Sequence, residues 1–163
     1  MIYRLGMSFI SETMRATAPH QILQQEPALQ VAAFCHRPGY QGRELLLITS
    51  SSGRWILPKG WTEEGIRDGD AAALEAWEEA GVIAKCITDT PIGHYHTKKT
   101  LANRASVPCH VQIFDIEVQS LANDFPEAHK RDRRWVPFAQ AASEVSLPAL
   151  SDALARCLPA CEI

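Results

Sequence analysis

One segment narrows the folds open to this chain more than any other. After Leu57 the sequence passes through Pro58, Gly60 and Gly65, then runs Ala71-Ala72-Ala73-Leu74-Glu75-Ala76-Trp77-Glu78-Glu79-Ala80 and stops at Gly81. Proline and glycine break regular structure, so residues 58–65 read as a loop. The alanine-rich run has helical composition, with Asp68 or Asp70 as its N-cap and Gly81 as its C-terminal stop. Strand-like apolar runs flank it: 29–35, 44–49 and 55–57 before, then 82–87, a stretch around 92–96, 107–118 and 134–136 after. Short helices over 138–145 and 150–158 finish the chain. Many strands, few helices and no regular βαβ repeat predict an α+β fold with a mixed sheet sandwiched between helices, a layered α/β/α arrangement, rather than a doubly wound one.

At 163 residues, 46% hydrophobic and 21% charged, the chain suits one domain. Folding at this length buries on the order of 70% of the unfolded surface, so a core forms without disulfides or structural metal. Residues 1–27 are polar and weakly periodic; they read as a poorly structured or loosely packed N-terminal extension to a domain over 28–163. Ser8, Ser11, Glu12 and Thr13 interrupt any signal-peptide core, and Met7 offers a second start. No apolar stretch approaches the roughly 20 residues of a membrane span, so no membrane anchor is expected. The net charge of −3 and a pI near 6.1 exclude a global cationic field of the kind that draws proteins to nucleic acid or anionic lipid. Any phosphate binding must therefore be local. The cysteines Cys35, Cys86, Cys109, Cys157 and Cys161 are odd in number and scattered, as in a reduced, cytoplasmic protein. Cys157 and Cys161 have no second Cys or His pair nearby to complete a metal site.

At roughly 100° per residue, Glu75, Glu78 and Glu79 share one arc of the helix, and Ala73, Ala76, Trp77 and Ala80 share the other. Glu75 repels the other two at i,i+3 and i,i+4, each costing a few tenths of a kcal/mol. Glu78 and Glu79 also sit at the negative end of the helix dipole. Local stability would not select this arrangement. A hard divalent cation reverses the sign of every one of these terms and keeps positions free for water and phosphate.

The spacing resembles the signature box of the Nudix hydrolases. Gly60 opens it, and Glu75, Ala76, Glu78, Glu79, Gly81 and Val82 fall at the matching intervals over 23 positions. Ile66 stands where the box has its first Glu, and Leu74 where it has an Arg that helps orient the glutamates. The resemblance extends over most of 29–137 and is closest to the diphosphoinositol polyphosphate phosphohydrolase branch, which includes diadenosine polyphosphate hydrolases. It rests there on Ala33-Phe34-Cys35-His36-Arg37, Ser50-Ser51-Ser52, Trp55-Ile56-Leu57-Pro58 and Lys130-Arg131-Asp132-Arg133-Arg134-Trp135. It implies a Nudix fold, and Mg²⁺ or Mn²⁺ held by Glu75, Glu78, Glu79 and the Gly60 carbonyl. Either Glu78 or Glu79 would serve as general base. The serine turn and basic positions would grip substrate phosphates, with Arg37, Ser51, Arg54 and Lys130 in such roles.

Independently of that resemblance, Arg54, Lys59, Lys98, Lys99, Arg104, Lys130 and Arg131 all fall in loops or at strand ends, where side chains can converge on an anion. His94, His96 and His110 lie in strand-like segments and read as structural, while His129 adjoins the basic cluster. Trp61 would stack on a base or pack against the helix. The expected activity is hydrolysis of a phosphoanhydride in a small molecule of diadenosine polyphosphate or diphosphoinositol polyphosphate type. Pro27-Ala28-Leu29-Gln30 replaces the basic residues that inositol-specific relatives carry, which disfavours the more highly charged class. Two rivals remain: a catalytically weakened module that binds such a ligand as a sensor, suggested by Ile66 and Leu74, and action on capped RNA. The acidic pI and 7% aromatic content count against the latter.

Overall fold

The computed structural model describes residues 26–161; the N-terminal extension, with Met7, lies outside them except for its last two positions. Eleven elements follow in order: β1 (Ala28–Gly39), β2 (Gly42–Thr49), β3 (Trp55–Ile56), β4 (Lys59–Trp61), α1 (Asp68–Ala80), β5 (Val82–Ile87), β6 (Gly93–Thr100), β7 (Ser106–Leu121), β8 (Arg133–Pro137), α2 (Phe138–Glu144) and α3 (Pro148–Cys161). They form one eight-stranded mixed sheet with helices on both faces, the α+β architecture expected from the sequence.

The sheet is organised by β1. Its residues Val31 to Cys35 are all fully buried, because β7 runs parallel beside it from Ala28↔Cys109 to His36↔Glu117 and helices cover both faces. The other edge of β1 is shared. Its first half pairs with β4, Gln30↔Trp61 to Ala32↔Lys59, and its second half with β2, His36↔Leu45 to Gly39↔Gly42. The edge therefore forks, and residues 50–58 bridge the two branches. That fork sets the serine turn and Lys59 around one opening.

Side-chain alternation shows which helix lies on which face. Gly60 pairs with Val31, and a methyl group on Gly60 would overlap the Glu75 carboxylate, so α1 covers the Val31 face. Ala32 pairs with Ile113 and Ile113 with Gly93, where a methyl group would strike Sγ of Cys157; α3 therefore covers the Ala32 face. The Phe34 and Phe138 rings meet edge to face at 5.4 Å, which places α2 beside α3.

Two local expectations are corrected. Lys59–Trp61 is not loop but a short strand, because its backbone completes the open half of β1. The N-cap of α1 is neither Asp68 nor Asp70 but Arg67, with no side-chain cap. Its guanidinium instead reaches Asp70 at 2.9 Å and Asp89 at 2.6 Å. Asp68 and Asp70 both lie in the first turn, where negative charge complements the helix dipole. At the other end Gly81 adopts φ 66°, a left-handed conformation that closes the helix on the carbonyls of Ala76 and Trp77 as expected.

Candidate active site

Helix α1 presents its glutamates where β4 approaches closely. Only glycine at position 60 leaves room for the Glu75 carboxylate. Burial raises the pKa of Glu75, and the neighbouring carboxylates of Glu78, Glu127 and Glu63 add to the rise against an opposing Lys99. Glu79 is 8% exposed. Its Oε2 accepts the Lys59 amide at 3.0 Å and its Oε1 accepts Nη2 of Arg131 at 2.7 Å. Burial still pushes the Glu79 carboxyl up to about 7, with Glu75 and Glu127 adding to it and Arg131 and the Lys59 amide opposing.

Glu127 is a fourth acid of this group that sequence reasoning missed. Its amide donates to the Glu78 carbonyl at 2.9 Å, docking the segment before β8 onto α1, and its Oε2 accepts Nε of Arg131 at 2.8 Å. In sequence, Glu127 and Arg131 show only an i,i+4 spacing that any surface pair would share.

On the adjoining side is a cleft of about 430 Å³. Its walls are the serine turn from Ser50 to Ser52 with Arg54, then Ile56, Lys59 and Glu79, Thr97 to Thr100 of β6, Arg131 and Leu147. The turn is internally tied. Gly53 takes φ 76° and donates to the Ser50 carbonyl at 2.9 Å, Ser50 Oγ accepts the Arg54 amide at 3.1 Å, and Arg54 Nε donates to Ser52 Oγ at 3.0 Å. Lys59 Nζ donates to Gln30 Oε1 at 3.2 Å. Burial lowers the Lys59 pKa and nearby Lys99 lowers it further, against Glu79. Lys99 sits 4.8 Å over the Trp61 ring, so that ring packs on a cleft cation. Two buried polar groups lack partners here: Nε2 of Gln30, whose Oε1 accepts Lys59, and the hydroxyl of Tyr95, which lines a separate, smaller cavity. Neither was singled out in the sequence as a polar group of the site.

Of the basic residues proposed from sequence, Arg54, Lys59, Lys98, Lys99 and Arg131 line this cleft together with Ser51. Arg37, Arg104 and Lys130 do not. Arg37 is toward the hairpin end of β1, where it pairs with Glu44 at 2.9 Å and stacks over Trp135 at 4.1 Å. Arg104 occupies the turn between β6 and β7 with φ 64°, and Lys130 lies exposed in the turn after Glu127. Arg131, expected to bind substrate, is committed to protein acceptors: Glu79, Glu127 and the Thr49 carbonyl at 3.0 Å. His94, His96 and His110 stack on one another in β6 and β7, with ring centroids 4.8 to 6.2 Å apart, and line no part of the cleft.

The donor set fits a hard divalent cation in kind, being all carboxylate oxygen, with Glu75 and Glu79 raised in pKa by burial and by neighbouring acids. Among the described residues, no three His, Cys, Asp or Glu side chains are already gathered round one metal position. Glu79 is turned to Arg131 and the Lys59 amide.

Comparison with known proteins agrees with the fold. A family model described as the NUDIX domain matches residues 27–160. The mitochondrial Nudix hydrolase 16 of Arabidopsis thaliana is 33% identical over 115 residues, which is 68% of this chain and 63% of that protein. The chain spans less than two thirds of the length of the curated relatives it matches. Among solved structures, Ap4A hydrolase of C. elegans superposes with a TM-score of 0.58 at 19% identity, covering 80% of this chain and 95% of that one. The NUDIX domain of Shewanella oneidensis NrtR, complexed with ADP ribose, gives 0.59 at 20% identity, covering 83% and 87%. At such identities these two likenesses speak for the fold alone.

Proposed function

The chain belongs to the Nudix family, and on that premise we propose that it hydrolyses the phosphoanhydride bond of a linear nucleotide polyphosphate, of diadenosine polyphosphate or nucleoside-diphosphate type. One observation carries the reading: the carboxylate face of α1 and the cationic cleft meet at a single point. There Glu79 accepts the amide of Lys59, whose own ammonium faces the cleft. Acids that would hold a cation and bases that would hold phosphate thus share a wall.

Glu75, Glu78, Glu79 and Glu127, with the Gly60 carbonyl, would hold Mg²⁺ or Mn²⁺, which supplies charge neutralisation at phosphorus and a more acidic water. The chain's own residues do the rest. Arg54, Lys98 and Lys99, with the Ser51 hydroxyl, bind the phosphate chain; Lys59 lies beside the leaving phosphate and compensates its growing charge. Glu79, the one glutamate of α1 that lines the cleft, takes the proton of the attacking water. Water oxygen bonds to phosphorus as the bridging P–O bond breaks, and the electron pair leaves with the departing phosphate.

The relatives' names support this substrate class: one structural neighbour is titled Ap4A hydrolase and another carries ADP ribose. Gln30, neutral and fully buried beneath Lys59, supports a nucleotide polyphosphate over an inositol pyrophosphate. All five cysteines are unpaired, which supports a reducing compartment; the mitochondrial naming of both plant relatives makes the organelle as good a candidate as the cytosol. Among the described residues, no helix is long and apolar enough to cross a membrane. A second reading, ligand binding without turnover, draws on Leu74 and Ile66, both more than a third exposed and neither supporting a glutamate. Incubating the protein and its Glu79→Gln variant with Mg²⁺ and a panel of diadenosine tetraphosphate, ADP-ribose and an inositol pyrophosphate separates the readings. Wild-type turnover of a nucleotide, abolished in the variant, is expected. Tight binding without product release from any compound overturns hydrolysis in favour of the module.

A further inference from the structure

We infer that Arg131 is the positioning residue that braces the catalytic carboxylate of Glu79 from the loop side, a support that α1 itself does not supply. The inference rests on the hydrolase reading above and concerns how its site is held together.

Three observations converge on Arg131. Its guanidinium is 15% exposed and spends every arm on protein: Nη2 on Glu79 at 2.7 Å, Nε on Glu127 at 2.8 Å and Nη1 on the Thr49 carbonyl at 3.0 Å. A planar fork engaged through all three of its nitrogens is fixed in orientation, with three of its five N–H donors already spent on protein. Next, the acceptors belong to three parts of the site. Glu79 is on the carboxylate helix, Glu127 in the segment docked on Glu78, and Thr49 at the root of the serine turn, where its amide and hydroxyl also bond Asp132 at 3.0 and 2.9 Å. Finally, the one residue of α1 placed where an arginine would stiffen the glutamates is Leu74, an apolar side chain 36% exposed. On a helix it would reach Glu78 at i+4 rather than Glu79, so bracing of Glu79 has to come from outside the helix.

Arg131 thus ties the base to the turn that aligns phosphate. Breaking that tie leaves the pocket's other cations in place and misplaces the carboxylate. Misplacement is felt in the chemical step, whereas loss of a phosphate ligand is felt in substrate affinity.

The test compares wild type with Arg131→Ala, Arg131→Lys and Glu127→Gln, each first shown by circular dichroism to fold. Mn²⁺ alone is titrated into substrate-free protein by calorimetry, and steady-state kinetics follow with diadenosine tetraphosphate. A positioning role predicts that Arg131→Ala binds Mn²⁺ 10- to 100-fold more weakly, as typically follows loss of a residue that orients a metal ligand. It also predicts that kcat falls about 100-fold while KM moves less than about 3-fold. Arg131→Lys, with one charged arm, should recover part of both. Glu127→Gln loosens the fork, and the double variant Arg131→Ala with Glu127→Gln should lose far less kcat than the product of the two single losses.

Raised KM with unchanged kcat makes Arg131 a phosphate ligand and overturns the inference. Tighter Mn²⁺ binding in Arg131→Ala makes it a mere competitor for Glu79 and also overturns it. If Arg131→Ala does not fold, wild-type Mn²⁺ affinity and kcat in Arg131→Lys overturn it equally. A wild type that neither binds Mn²⁺ nor turns over sinks the hydrolase reading and this inference with it. A wild type that does both, beside a variant that binds Mn²⁺ normally, sinks this inference alone.

Discussion

Replacing Glu79 by Gln should make the metal-free protein more stable at pH 8 and slightly less stable at pH 5. In the folded chain its carboxyl is pushed up to about 7, mainly by burial, from an ordinary value of 4.5. The folded state then holds a proton that the unfolded state has released between those two values, so stability falls as pH rises from the lower to the higher. At about 1.4 kcal/mol per unit, the ionised carboxylate costs about 3 kcal/mol by pH 8 and under about 1 kcal/mol at pH 5. Glutamine removes that cost, but its side chain cannot accept from both the Lys59 amide and Arg131, a loss of about 1 kcal/mol. The balance at pH 8 is about 2 kcal/mol in favour of the variant, or roughly 4–8 °C in Tm for a domain of this size. At pH 5 the sign reverses slightly. Calorimetric melts in chelator at both pH values read the difference directly, with other titrating groups cancelling between the two proteins. An equal difference at pH 5 and pH 8 would refute the assignment of the burden to Glu79.

Adding millimolar Mn²⁺ at pH 8 should raise the wild-type Tm by a few degrees and raise that of Glu79→Gln much less, because a cation bound only by the folded state stabilises it by mass action; equal shifts in both melts would argue against Glu79 as a ligand. Gly60→Ala should weaken Mn²⁺ binding at least about 10-fold while costing under about 2 kcal/mol in denaturant melts, since the added methyl displaces only the carboxylate end of the Glu75 side chain; unchanged Mn²⁺ affinity would argue against Glu75 as a ligand. Lys99→Ala should raise KM for diadenosine tetraphosphate several-fold at unchanged kcat and weaken its salt dependence, measured by steady-state rates at 50 and 200 mM salt. Arg37→Ala should leave KM unchanged, because that side chain is spent on Glu44 and Trp135; a raised KM would extend the phosphate site to the hairpin end of β1.

Periodicity and punctuation carried most of the fold. The apolar runs that became β1, β2, β5 and β7 and the glycine that closes α1 are local signals, and local signals survive into the structure. The strand at Lys59–Trp61 was hidden because its residues carry no strand pattern of their own. It is held by the free half of β1, a partner nearly thirty positions earlier. The cap of α1 was misplaced for a similar reason, since Asp89, distant in sequence, draws on Arg67. In the site, the three helical glutamates could be found because they share one helix. Glu127 and Gln30 could not, because only the fold brings Glu127 to Arg131 and Glu78 and Gln30 to Lys59. The basic residues were legible as a class but not individually. Arg37, Arg104, Lys130 and Arg131 differ from Lys59 and Lys99 in what lies beside them, which spacing along the chain does not record.

The central parallel ladder also sets the order in which the molecule can be assembled. Residues 28–36 find their partners at 109–117, roughly 80 positions later, so a nascent chain has no finished sheet centre until β7 has left the ribosome. Contacts this remote carry a loop-closure cost before any reward, which slows folding. The acids of α1 are synthesised well before that, and Glu127 and Arg131 only after it. A translating chain therefore carries an apolar β1 waiting for its neighbour, and its carboxylate cluster acquires the loop that steadies it only once β7 has been made.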